Sequence, residues 1–151
     1  MGSAHDTQSI NEGMGFVLHD VARLLRWSFD RQSKNLGLTR AQWSVLAHLY
    51  RGDGMQQAAL AQTLDVAPIT LARQLDRLEA DGWLIRRADP NDRRAKTIHL
   101  TEKAAPMKTK LKQLGAKVRQ QALDGISEEE AAQFLSTLNR IRQNLVPQDG
   151  N

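Results

Sequence analysis

Two short amphipathic segments meet at a joint of only a few residues around Asp65 and Val66. Upstream, QQAALAQTLDV has the spacing of a short helix. Downstream, APITLARQLDRLEADG predicts another, with Pro68 in its first turn and Gly82 just beyond its end. Two short helices separated by so tight a turn fit a helix-turn-helix. The second sorts its own residues. Leu71, Leu75 and Leu78 recur at i, i+4 and i+7 and face a core, which puts Thr70, Arg73, Gln74 and Arg77 on the other side. That face is built of hydrogen-bonding groups: Arg bridges guanine, Gln pairs with adenine, and a hydroxyl near a helix N-terminus suits a phosphate or a base edge. An ordinary solvated face has a similar composition, so the helix alone leaves both readings open.

The residues beyond Gly82 favour DNA. GWLIRRA, a turn at Asp89 to Asp92 and a basic loop lead into a second strand that places Ile98 and Leu100 on one face and Thr97 and His99 on the other. A helix-turn-helix followed by a basic two-stranded hairpin is a winged helix, whose helix enters the major groove while the wing tip reaches the adjacent minor groove. Charge agrees. Between Arg86 and Lys117 ten Lys or Arg stand against three Asp or Glu, a segment charge of +7 that leaves −3 for the rest of the chain. Such concentration fits a phosphate-binding surface, and composition alone fits a solvated helix face equally well.

The flanking segments are helical. EGMGFVLHDVARLLRWSFDRQSKNLG carries Phe16, Val17, Val21, Leu24, Leu25 and Phe29 at helical spacing and ends at Gly37; LTRAQWSVLAHLY follows with Thr39 as its N-cap. Near the C-terminus, Met107, Leu111, Leu114 and Val118 form one apolar stripe, and Phe134, Leu138, Ile141 and Leu145 form another, opened by Ser127 capping toward Glu130. Either these helices complete a monomeric core or they pair across a two-fold axis. The expected organisation is a disordered polar tail over 1–11, dimerisation helices over 12–37 and 102–147, and a winged helix-turn-helix over 38–101. The fold class is mostly α with a small β-hairpin wing.

Other function classes fail on inventory. The 151 residues hold no cysteine, which removes disulfides, thiolate nucleophiles and cysteine zinc sites, and the histidines at 5, 19, 48 and 99 lack metal-ligand spacing. No glycine-rich loop follows a strand, so neither an enzyme nor a cofactor or metal protein is expected. No apolar run approaches a membrane span, and a cytoplasmic protein is expected.

The chain from Leu38 onward resembles the MarR family of bacterial transcription regulators, and its SlyA branch in particular, in LTRAQWSVL, LARQLDRLEADGWLIRR, DPNDRRAKTIHLTEKA and GISEEEAAQFLSTLNRI. The family wing pattern falls on Asp92, Arg94, Leu100, Thr101 and Ala104; many members carry glycine where Ala104 stands. The resemblance implies a homodimeric regulator on pseudo-palindromic, A·T-rich double-stranded operators. It makes Arg94 the wing-tip residue of the minor groove, Asp92 the brace of the wing and Arg86 the ion-pair partner of Asp92. A narrow A·T-rich groove concentrates negative potential and rewards an inserted arginine. Arg93 and Lys96 then meet phosphates, and Pro68, Thr70, Arg73, Gln74 and Arg77 complete the DNA-facing set; surface ion pairing is the bland alternative for Arg86, Arg87 and Asp92. The resemblance also implies a ligand-responsive repressor released by a small aromatic carboxylate. His19, Arg23 and Trp27, at i, i+4 and i+8, and Trp43 are the candidate ligand residues, with ordinary core packing as the alternative for both tryptophans. The rival function is a sequence-tolerant architectural or anti-silencing DNA-binding protein, which shares every basic feature.

Overall fold

The computed structural model of the protein describes residues 4–147. Its first helix, α1 (Ala4–Ser33), starts far earlier than expected. Residues 4–11 of the segment expected to be a disordered tail are helical; residues 1–3 lie outside the described residues. Polar composition misled here: Gln8 and Glu12 propagate a helix as readily as apolar residues, and Gly13 and Gly15, each costing about 1 kcal/mol relative to alanine, do not interrupt it. A 3-10 turn over Lys34–Leu36 and Gly37, at φ 72°, end the helix.

A capping box then starts α2 (Arg40–Arg51): Thr39 Oγ1 accepts from the Gln42 amide at 3.2 Å, and Gln42 Oε1 accepts from the Thr39 amide at 3.1 Å. The next two helices are α3 (Gln57–Leu64) and α4 (Pro68–Ala80). Between them Asp65 sits at φ 52°, the single non-glycine residue with positive φ among the described residues. That left-handed step lets the Val66 amide bond back to Ala61 O at 3.1 Å and turns the chain sharply into α4. Strands β1 (Leu84–Asp89) and β2 (Asp92–Leu100) make the antiparallel hairpin, and α5 (Ala105–Ala122) and α6 (Glu128–Leu145) complete the chain. The fold is the mostly helical winged helix-turn-helix that the periodicities predict.

Two apolar clusters hold it. Val45 and Leu49 of α2, Leu60 of α3, Leu71, Leu75 and Leu78 of α4, and Leu84 and Ile98 of the hairpin are all buried in the first. Each such side chain contributes about 1.5–3 kcal/mol relative to an exposed one. The second joins Trp43 and Leu46 of α2 to Met107 and Leu111 of α5, and Trp83 and Leu100 pack against both clusters. Helix α4 and the hairpin are thus parts of one packed unit.

The outer helices are different. No residue of α6 is buried; Phe134, Leu135 and Leu145 are 53%, 59% and 76% exposed, and on α1 Phe16 and Val17 reach 79% and 60%. Leu138 and Ile141 are only partly covered. Isolated exposed apolar residues are ordinary, but rows of them along two long helices are surface still to be covered. No described helix is long and apolar enough to cross a membrane.

Candidate nucleic-acid interface

The start of α4 is stripped for contact. Its N-cap is Ala67, whose side chain cannot cap, and Pro68 occupies the first turn, so the leading amides keep their capacity for an outside acceptor. Because Leu71, Leu75 and Leu78 are locked inward, Pro68, Thr70, Arg73 and Arg77 are exposed on the other side, and Gln74 is half covered. Sequence periodicity alone overlooked Ile69. It is 65% exposed at the leading turn of this face, where an apolar side chain suits the methyl group of thymine.

The wing displays its tip by a register break. Leu84 pairs with Leu100, Arg86 with Ile98 and Ala88 with Lys96, after which the next pair is Asp89 with Asp92. Arg93, Arg94 and Ala95 therefore have no partners on β1 and form a bulge of β2, with both arginines exposed. Two carboxylates shape the tip. Asp92 Oδ1 accepts from the Arg94 amide at 3.0 Å. Asp89, which no sequence pattern singled out, is buried and accepts from the Asn91 amide at 2.8 Å and from Gln56 Nε2 at 2.7 Å. Gln56 also bridges to Thr97, and the Ile98 amide donates to Met55 O at 2.9 Å, so residues 54–56 line the second edge of β2 like a short third strand. The signal available in the sequence was weak, a Gln just before a helix and an Asp just before a turn.

Arg86 requires a correction. It does not pair with Asp92. Its guanidinium reaches Asp76 Oδ1 at 2.5 Å and Glu79 Oε2 at 2.7 Å, both on α4, and its own amide donates to Glu79 Oε1 at 3.1 Å. Register explains the difference: Arg86 stands opposite Ile98, three strand residues, about 10 Å, from the Asp89–Asp92 pair at the tip. The residue ties the wing to α4, and its charge is matched by two carboxylates there. Lys96, by contrast, is exposed with no ion-pair partner among the described residues.

The hydrogen bond from Arg86 holds the Glu79 carboxyl below its ordinary value, and the Asn91 amide, followed by Gln56, does the same for Asp89. Depressed carboxylate values mean stability that is present above the unfolded value and lost as pH falls through the folded one. Unfolding followed between neutrality and acid is therefore expected to show this clamp's contribution intact down to about pH 5 and lost progressively as pH falls through and below the unfolded Glu value of about 4.3, with a steeper loss there than in Glu79→Gln. Parallel acid curves for the two proteins would contradict the assignment.

The candidate ligand residues do not converge. Trp43 is core: it is 9% exposed, its ring packs on Phe29 at 4.2 Å and its Nε1 donates to Asp30 Oδ1 at 2.8 Å. His19 and Arg23 are exposed, Arg23 lying 3.7 Å from Asp20. Trp27 is half exposed with the Arg31 guanidinium 4.8 Å from its ring, and it borders an open groove of about 560 Å³ between α1 and α5, lined also by Leu24, Leu25 and Val118. No cluster of three or more His, Asp or Glu able to hold a metal occurs among the described residues.

Residues 38–96, which span α2 through the wing tip, match the model of the MarR family. Among solved structures, the transcriptional regulator PA3341 is 43% identical, with a TM-score of 0.78 over 87% of this chain and 97% of that one. The transcriptional regulator SlyA is 30% identical, with a TM-score of 0.74 over 87% and 93%. A transcriptional regulator of the MarR family from Silicibacter pomeroyi is 26% identical, with a TM-score of 0.78 over 91% and 92%.

Proposed function

Since the chain belongs to the MarR family, whose members are DNA-binding transcription regulators and not enzymes, we propose that it acts as a homodimer on pseudo-palindromic, A·T-rich operators and is released by a small aromatic carboxylate. The observation that carries this reading is the pairing of a bulged wing tip, bearing Arg93 and Arg94, with an exposed α4 face of Thr70, Arg73 and Arg77 on the same packed unit. Arg73 and Gln74 read base edges, Arg94 enters the minor groove, and Arg93, Arg77, Lys96 and the amides behind Pro68 hold phosphates. Arg86 has no place in that set.

Residues 12–37 and 102–147 form the dimer, and 38–101 the DNA-binding unit. The uncovered apolar rows of α1 and α6 support this division, since a second copy covers both at once. The wing sequence DPNDRRAKTIHLTEKA and the likeness to SlyA favour the SlyA branch. For the ligand, Trp27 and Arg31 on the groove between α1 and α5 offer an aromatic face beside a cation; Trp43 does not contribute.

The test is the ratio of affinity for a selected operator to affinity for random DNA at physiological salt, with and without salicylate. A ratio of about a thousand or more, reduced by salicylate, is expected. A ratio near one would identify a sequence-tolerant architectural protein, and a ratio indifferent to salicylate would remove the ligand from the proposal.

A further inference from the structure

The connection between α1 and the DNA-binding unit is narrow. The C-terminal half of α1 packs against α5, and Phe29 and Asp30 near its end carry it onto α2. Asp30 uses both oxygens: Oδ1 accepts from Trp43 Nε1 at 2.8 Å, and Oδ2 accepts from the Arg40 guanidinium. Phe29 lies against the Trp43 ring, and the buried Ser33 hydroxyl turns back to donate to Asp30 O at 3.1 Å. Directly beyond stands Gly37, in a left-handed conformation. One half-buried carboxylate therefore joins the last turns of α1 to the first turn of α2, across the point where the chain bends.

We propose that Asp30 is a positioning residue for DNA binding: by holding Trp43 and Arg40 together it fixes the angle between α1 and the winged helix, and so sets the distance between the two recognition helices of the dimer. It touches no DNA. Its effect is geometric, because a small rotation at a joint near the dimer helices is magnified at α4 and the wing tip, while two half-sites tolerate little error from a separation of about one helical turn, 34–36 Å. This inference rests on the dimeric, paired half-site function proposed above.

The experiment measures affinity for a series of operators that differ only in the number of base pairs between half-sites, with dimer mass and helical content followed in parallel. Wild-type protein is expected to favour one spacing. Asp30→Ala is expected to flatten that preference by about tenfold, within the usual range for coupling between two sites, while remaining a helical dimer. Asp30→Asn, which keeps an acceptor for Trp43 but loses the charge facing Arg40, should fall between. Arg40→Gln, at an exposed position, carries the test together with Asp30→Asn where the alanine variant does not fold. An equal loss of affinity at every spacing, or a wild-type profile in these variants, overturns the clamp and leaves the dimer standing. A wild-type chain without any spacing preference overturns paired half-site binding itself.

Discussion

Cutting the chain after Gly125, which removes α6, is expected to weaken operator binding by about 10²–10⁴-fold and to yield a weak monomer or aggregate on sedimentation. The size follows from linkage. In a dimer the second half-site contact is intramolecular, and separating the protomers forfeits that advantage without altering any residue that touches DNA. The direction follows from burial. Nothing on α6 is buried within the chain, so its loss removes little of the winged-helix core, whose members lie between Val45 and Ile98. The shortened protein should keep the cooperative unfolding of that core while the apolar row on α1, with Phe16, Val17 and Val21, stays open to solvent. A truncated chain that sediments as a well-folded dimer with full affinity would show that the exposed faces of α6 serve some other partner.

Replacing Arg73 by alanine should cost on the order of 1–3 kcal/mol per half-site and relax specificity at one position in each. Arg73 sits in the second turn of a rigid helix whose opposite face is packed by Leu71, Leu75 and Leu78, so its direction is fixed before DNA arrives. Replacing Arg94 should act differently. It stands on a bulge, its amide held by Asp92, and an arginine so placed responds to groove width more than to individual bases. Its loss is expected to weaken binding most where the flanks are A·T-rich, and the effect should shrink on G·C-rich flanks. Affinities of both variants for operators with exchanged flanks and exchanged half-site bases separate the two behaviours. Uniform weakening by Arg94→Ala would reduce the wing to a phosphate clamp, and no weakening would remove it from the interface. Both proteins should unfold like the parent, since neither side chain enters the core.

The parts of this molecule that were legible in its sequence are those in which one local rule decides the outcome. Leu71, Leu75 and Leu78 at helical spacing orient α4 whatever surrounds it; Thr39 and Ser127 mark helix starts through side-chain hydrogen bonds, Pro68 through its fixed φ and Gly82 a helix end through its left-handed one; and the alternation ending at Ile98 and Leu100 specifies a strand. What escaped depends on neighbours distant in sequence. Asp92 lies six positions from Arg86 and is an obvious partner in one dimension, yet Asp76 and Glu79 are the carboxylates that α4 delivers to it. Trp43 is as aromatic in a core as in a ligand site, and only its contact with Phe29 and Asp30 decides between them. Helix propensity over residues 4–11 was hidden by polar composition, which describes solubility better than conformation.

Residues 54–56, bonded to β2 through an isolated bridge and two backbone hydrogen bonds, cover one edge of that strand, which leaves β1 as the outer edge of the two-stranded sheet. An outer edge with unpaired backbone groups is a template on which a strand from another molecule can add. Here that edge carries Arg86 and Arg87, the first drawn across to α4 and the second exposed. Two copies approaching edge to edge would bring the exposed Arg87 of each near the other and would have to displace Glu79 from the Arg86 amide. The clamp that ties the wing to α4 is therefore expected to block strand addition at this edge as well, and variants that neutralise Arg86 and Arg87 together should form aggregates rich in β-structure at concentrations the parent tolerates.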